Sequence, residues 1–401
     1  MKTLLRFEIR KIVKKKSTIV AFAILFALQA FLAFAGSIGS TYVNDEFLGT
    51  HMEINKIERE NGIALSGRAI DDELLSEMIE AYAKVDWEDD RYRFTEAYQE
   101  EARKYSGVDQ IIRMWGLKDA LMTGSLTEEI LYEAREADME STWEYYELSE
   151  KEQAYWQARE EEIEKPFTYQ YAMAYEYLTS MHGGYMICLI FTFFIAIVMV
   201  TVFTEEHTRK TDQLILCSQY GRGKLYIAKI LAGSIVTFVG NLLFIVVTVA
   251  GNFFSYGVEG FQASIQVALV NWYSYDLTTG ETVLIIMGLL LLSSIMTAIF
   301  TMVLAEVLKN SVGAMAIVIG ILFGARMIPM PVSWGILSQL WNYIPINLLK
   351  IDEGFVDMRL VSILGTELTT WQFAPILYVM VIVVLIFVGS RCYKNYQVTG
   401  R

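Results

Sequence analysis

The sequence is poor in the residues that staple, ligate or catalyse. Only three cysteines occur, Cys188, Cys217 and Cys392, and none lies between residues 41 and 180. A soluble block there folds without disulfides even if it sits in an oxidising space. The three histidines, His51, His182 and His207, are far apart in sequence, and neither HExxH nor CxxC is present. No metal site is therefore expected. No acid–base pair or activated nucleophile stands out, so the chain is not expected to be an enzyme. Its one candidate for a phosphate loop, Gly221-Arg222-Gly223-Lys224, fails the GxxxxGK[ST] spacing twice, with Ser218 at the first glycine position and Leu225 at the Ser/Thr position. No cofactor is expected in this chain, and no nucleic acid as a partner.

Basic charge is scarce in some places and dense in others. Residues 251–281 contain no Lys or Arg, and 329–372 contain only Lys350 and Arg359. Residues 41–180 hold 34 acids against 14 bases, a net charge of −20, while the rest of the chain is net basic. That remainder makes the composition 54% hydrophobic, with a mean hydropathy of +0.35. This is too apolar for an ordinary soluble domain. The reading is a basic membrane body with an acidic soluble insertion.

A bilayer core needs about 20 mostly apolar residues per helix. Six stretches qualify, at 17–36, 185–204, 230–250, 282–305, 311–328 and 373–391. The fifth is weakest, because Arg326 and Pro329 lie at its end. Bases cluster in 1–16, in the loop after the second stretch (Arg209, Lys210, Arg222, Lys224), at Lys309, and at Arg391, Lys394 and Arg401. The positive-inside rule then puts both termini in the cytoplasm and residues 41–180 outside. Residues 1–40 also fit a signal peptide, with Ala33-Phe34-Ala35 as a cleavage site. The length of the apolar run, and the even span count it completes, favour an uncleaved first helix. The expected fold is all-α: six transmembrane helices with a mainly helical extracytoplasmic domain between spans one and two.

Local patterns refine this map. Leu5, Ile9, Ile12 and Val13 share one side of a basic amphipathic helix within 1–16, expected at the inner headgroup layer. Leu75, Met78, Tyr82 and Val85 form a helical face, and Ser125/Glu128 and Ser149/Glu152 read as capping boxes. Ile163, Phe167, Tyr171, Tyr175 and Leu178 read as a helical stripe leading into span two, with Pro166 in its first turn. Residues 329–372 hold three of the five prolines, and Trp334, Leu337, Leu340, Trp341 and Ile344 then predict a short interfacial or re-entrant helix. Gln29 and Asn241 are polar intruders within spans, for helix packing or for a translocation path.

Residues 204–224 spend some twenty polar positions between two spans, where a passive loop needs a handful. Glu205-Glu206 ends the span, Arg209-Lys210 follows, Thr211 or Asp212 is placed to cap a short helix, and Leu214 with Ile215 gives it an apolar side. Gly221-Arg222 makes a turn, and Lys224 leads into the next span. This order resembles the permease subunits of type-2 ATP-binding-cassette (ABC) exporters. A common family form around this loop is E-x-x-x-G-T-x-E-x-L. Thr211 is kept here, with Lys210 in place of the glycine and Gln213 in place of the second glutamate. The amphipathic helix at 1–16 resembles the family's connector helix, and the layout of 1–40 and 181–401 fits as a whole.

The resemblance implies that 204–224 is a coupling segment seated on a separate ATPase subunit, through Glu205, Glu206, Arg209, Lys210, Thr211, Asp212, Leu214, Ile215 and Arg222. It implies two ATPase copies, which bind the ATP and magnesium, and a second permease chain, the same or related. It places the chain in a bacterial plasma membrane, multi-pass and in contact with lipid, with 392–401 as a cytoplasmic tail. The acidic, aromatic insertion suits an amphipathic cargo, a cationic peptide antibiotic among them. The alternative is a membrane sensor whose acidic block binds a ligand.

Overall fold

The computed structural model describes residues 1–401 except 88–90, 181–185, 212–213, 216, 218–220, 222, 269–273, 351–353 and 396–401. Among the described residues, five helices are long and apolar enough to cross a membrane: Lys16–Ser37, Cys188–Thr208, Lys224–Tyr256, Thr279–Leu308 and Thr370–Asn395. The expected fifth stretch forms a helix, Ser311–Met327, but it has only 17 residues. At 1.5 Å per residue that is about 25 Å, short of a hydrocarbon core of about 30 Å. Ile328 already has an extended backbone where the helix ends, because the position before Pro329 one residue further on, and the proline itself, end the helical path. Six full-length spans thus become five long helices and one short one.

The third long helix runs well beyond the expected 230–250. Its 33 residues reach about 50 Å, so it projects past a bilayer core. The fourth lies at the centre. Of its apolar stretch 56% is buried, against 17% for the first and last helices, and it packs on the second, third, short and last helices. Ser293, Ser294, Thr297 and Thr301 are buried along it. Small polar side chains allow close helix approach where lipid offers no competing hydrophobic drive. The first and third helices touch through their backbones at Gly251, where a Cβ would stand 2.7 Å from the Ala33 carbonyl carbon.

The acidic block is mainly helical. Its core gathers Leu74, Leu75, Met78, Tyr82, Ile111, Ile112 and Leu131, so the 75–85 face is where periodicity puts it. Ser149/Glu152 forms a full capping box before the helix Glu150–Glu161. At the other expected box the cap is Thr127, whose side chain accepts from the Ile130 amide. Glu128 instead donates its amide to Asp72. The stripe from 163 to 178 is not one helix. Thr168 bridges to Ala69 in antiparallel fashion, and helix forms only at Met173–Thr179. Two small hairpins also depart from an all-α chain: Ser40–Val43 with Glu46–Thr50, and Val361–Ile363 with Thr366–Leu368.

The block is fastened to one end of the helix bundle. Arg135 forks onto Glu160 at 2.9 and 2.8 Å and also donates to Gln266 at 2.9 Å. Burial raises the Glu160 carboxyl, but Arg135 and Ser274 outweigh it and hold it below its ordinary value. Arg59 forks onto Glu259, the Tyr171 hydroxyl donates to the Tyr256 carbonyl, and the Trp156 indole donates to the Met358 carbonyl at 2.6 Å. The base-free loop after the third helix and the segment before the last helix therefore meet the acidic block. The basic segments meet at the opposite end.

Candidate functional site

The opposite end is built around the N-terminal helix Lys2–Val13. Its apolar positions 5, 9 and 12 pack with the membrane helices, chiefly the third. Its single acid, Glu8, falls on the same side and is buried with Ile12. A carboxylate buried there requires cations, and the neighbouring helices supply them.

Lys229, one and a half turns into the third long helix, is fully buried. Its ammonium donates to Glu206 Oε1 at 2.7 Å and to the Val202 carbonyl at 3.0 Å. It also lies 3.4 Å from Glu8 Oε2. Lys11 donates to the same Glu206 oxygen at 2.7 Å. Burial lowers the Lys11 amine, but the Glu206 carboxylate outweighs it and leaves that amine above its ordinary value. Two acids and two bases thus balance in one buried cluster that joins the N-terminal helix to the second and third long helices. At its edge Lys15 pairs with Glu205 at 3.2 Å and Arg209 pairs with Glu205 at 2.7 Å. His207 Nε2 lies 3.0 Å from Glu306 of the fourth helix, which Lys309 also contacts.

The sequence treats Glu205 and Glu206 as surface contacts. Glu206 is instead buried and committed to Lys11 and Lys229. The exposed part of the segment begins later. The Thr201–Thr208 helix ends with Lys210 left-handed at φ 55°, the Lys210 amide on the His207 carbonyl and the Thr211 amide on the Glu206 carbonyl. This is a Schellman end, whose left-handed position favours glycine. It fits the glycine at that place in the exporter pattern, and here Lys210 adopts the same left-handed backbone. A new turn starts at Thr211, whose carbonyl accepts from the Ile215 amide. Leu214 stands 77% exposed on it, with Ile215 half-buried. Asp212 and Arg222 lie outside the described residues.

The remaining expected positions are spread through the bundle. Gln29 donates to Thr248 Oγ1 at 2.6 Å, tying the first long helix to the third. Asn241 donates to Ser294 Oγ at 2.8 Å and to the Leu290 carbonyl at 3.2 Å, tying the third to the fourth. Trp334, Leu337, Trp341 and Ile344 do not share one helix. Gly335, at φ 55°, separates the turn Val332–Trp334 from the helix Ile336–Asn342. Trp334 and Leu337 are exposed, while the Trp341 indole donates to the Ile328 carbonyl.

Sequence reasoning passed over Glu8 and Glu306, and read Lys229 only as a mark of re-entry into the third span. The signal was present, as a lone acid in a basic helix and single charges near the ends of apolar runs. Their partners lie up to 221 positions away, and only folding brings them together.

A comparison with curated proteins gives no match. A family model described as "ABC-2 family transporter protein" matches residues 3–352, which takes in the N-terminal helix, the buried charge cluster and the acidic block. With several helices long and apolar enough to cross a membrane, the chain belongs to the ABC-2 transporter family, as a membrane-spanning permease subunit.

Proposed function

We propose that this chain is the permease of an exporter that moves an amphipathic substrate, a cationic peptide being the best fit, with ATP hydrolysed by a separate subunit. Residues 41–180 and 329–372 lie outside, and 1–16, 204–224 and 392–401 lie in the cytoplasm. Support comes from the separation of charge, with the base-free loop against the acidic block at one end and the basic segments gathered at the other. The working unit has two permease chains and two ATPases in a bacterial plasma membrane. Ser311–Met327 completes the even span count as a short crossing beside the helices Ile336–Asn342 and Pro345–Leu348, with which irregular backbone would be shielded from lipid.

The observation that carries the coupling role is the exposed Leu214, directly after a helix whose Glu206 is locked to both the N-terminal helix and the third long helix. A push on this turn would be passed to those helices rather than absorbed by a slack loop. Lys210, Thr211 and Ile215 shape the turn, and Glu205 and Arg209 brace it. Leu214→Asp should abolish co-purification with a Walker-A ATPase encoded beside this chain, and with it substrate-stimulated ATP hydrolysis. A charge in place of a buried apolar contact costs several kcal/mol. Insertion into the membrane should be unchanged. Wild-type coupling in this variant would remove the assignment. The sensor reading has no observation in its favour to set beside the family match.

A further inference from the structure

A cavity of about 430 Å³ lies between the acidic block and Val267 and Ala268 of the loop after the third long helix, inside the usual range of ligand pockets. Three acids line it: Glu58, Asp109 and Glu176. Arg93, Arg103 and Arg113 line it too, Arg93 lying on Tyr92, and two of the acids are already matched. Arg103 donates to Glu58 at 2.9 Å, and Arg113 donates to Asp109 at 2.6 Å. Glu176 makes no ion pair or side-chain hydrogen bond among the described residues. It sits deep in the protein but opens onto the cavity. Burial pushes its carboxyl up to about 8. Beside it the walls are Tyr169, Tyr171 and Met173, with Tyr98 and Trp87 further round. Arg113 already covers the Trp87 face at 5.7 Å.

Glu176 is carried by the helix Met173–Thr179, which packs directly on the third and fourth long helices. Tyr175 and Leu178 of this helix join the same buried cluster as Val283, Met287 and Leu290. A group bound at Glu176 therefore presses on the centre of the bundle through one short helix.

We propose that this cavity binds the protonated amine of an amphipathic cation, with Glu176 as its counter-ion and the tyrosine walls holding its apolar body. An ammonium supplies the cation that Glu176 lacks beside it once its carboxyl ionises, and aromatic faces add cation–π attraction. A neutral or anionic ligand leaves the carboxylate without that charge. The inference rests on the transporter reading only for what happens to the ligand afterwards.

The test uses the full chain in nanodiscs without an ATPase, titrated calorimetrically with tryptamine, its neutral counterpart tryptophol and the anion indole-3-acetate. Tryptamine should bind at least tenfold more tightly than either. Glu176→Gln, which keeps the shape, should remove that preference, and Met173→Trp, which fills the cavity from the same helix, should block all three. Tryptamine affinity should rise from pH 6 to pH 9 in the native chain, because Glu176 ionises across that interval while an alkyl amine stays protonated to about pH 10. Around Glu176 stand Tyr169 and Tyr171, whose hydroxyls burial keeps protonated, and the Glu58–Arg103 and Arg59–Glu259 ion pairs. In Glu176→Gln the rise should vanish. Nanodiscs with phosphatidylethanolamine that compete with tryptamine would mark a lipid headgroup as the source of the amine, and absence of competition would mark a soluble one. Equal affinity for tryptophol, or unchanged tryptamine affinity in a folded Glu176→Gln chain, overturns the proposal. Loss of binding with ATPase coupling intact sinks the cavity alone, and loss of coupling with binding intact sinks the transporter assignment alone.

Discussion

Replacing Lys229 by methionine removes one charge and little volume. In the native chain its ammonium serves Glu206 at 2.7 Å, Glu8 at 3.4 Å and the Val202 carbonyl at 3.0 Å. After Lys229→Met, Lys11 alone faces two buried carboxylates, and Glu8 Oε2, which has no hydrogen bond of its own, loses its nearest cation. Breaking a buried ion pair by deleting one side costs about 3–5 kcal/mol, because an uncompensated charge is left behind. That is a large part of a typical stability of about 5–15 kcal/mol. The double change Lys229→Met/Glu206→Met leaves Lys11 with Glu8, one base to one acid, in an apolar surround. Replacing a buried pair by packed apolar groups is often neutral or stabilising by about 1–4 kcal/mol, so the double variant should recover most of the loss. The assay is unfolding of the chain in nanodiscs followed by tryptophan fluorescence, for the wild type, both single variants and the double. A single variant within about 1 kcal/mol of wild type would refute the buried-charge argument. So would a double variant as unstable as the sum of the singles, since residues in one network should show a coupling of about 0.5–3 kcal/mol.

Two further outcomes follow from the same structure. Lys210→Gly should raise stability by about 1 kcal/mol, since a non-glycine residue in the left-handed region costs about 1–2 kcal/mol; a lower unfolding midpoint would show that the Lys210 side chain has a contact worth more than the strain. In intact cells a membrane-impermeant thiol reagent should label Tyr145→Cys, an exposed site in the acidic block, but neither of the exposed natural cysteines, Cys217 and Cys392; labelling of the natural pair from outside would invert the membrane map.

The long apolar helices were legible in the sequence because a run of about 20 apolar residues has one outcome in a bilayer. Their ends were not. The third helix continues to Tyr256 and stops at Gly257, and the fourth begins at a Thr278/Glu281 capping box, signals that hydropathy does not carry. The aromatic stripe at 163–178 misled for a geometric reason. Positions four apart share a face in a helix of period 3.6 and equally in an extended chain of period 2. Phe167, Tyr169 and Tyr171 are all buried on the extended path, so only the strand-like contact with Ala69 distinguishes the two.

The candidate site divides along the same line. Sequence alone placed a polar, Leu-bearing turn between two spans and an amphipathic basic helix at the start, because local charge and periodicity determine such elements by themselves. That the helix covers Glu206, that Lys229 turns inward, and that Glu306 meets His207 were decided by tertiary structure. A charge within an apolar run can stay buried only if an opposite charge is delivered to it, and Glu8, Lys11 and Glu206 reach Lys229 from places that no local pattern connects.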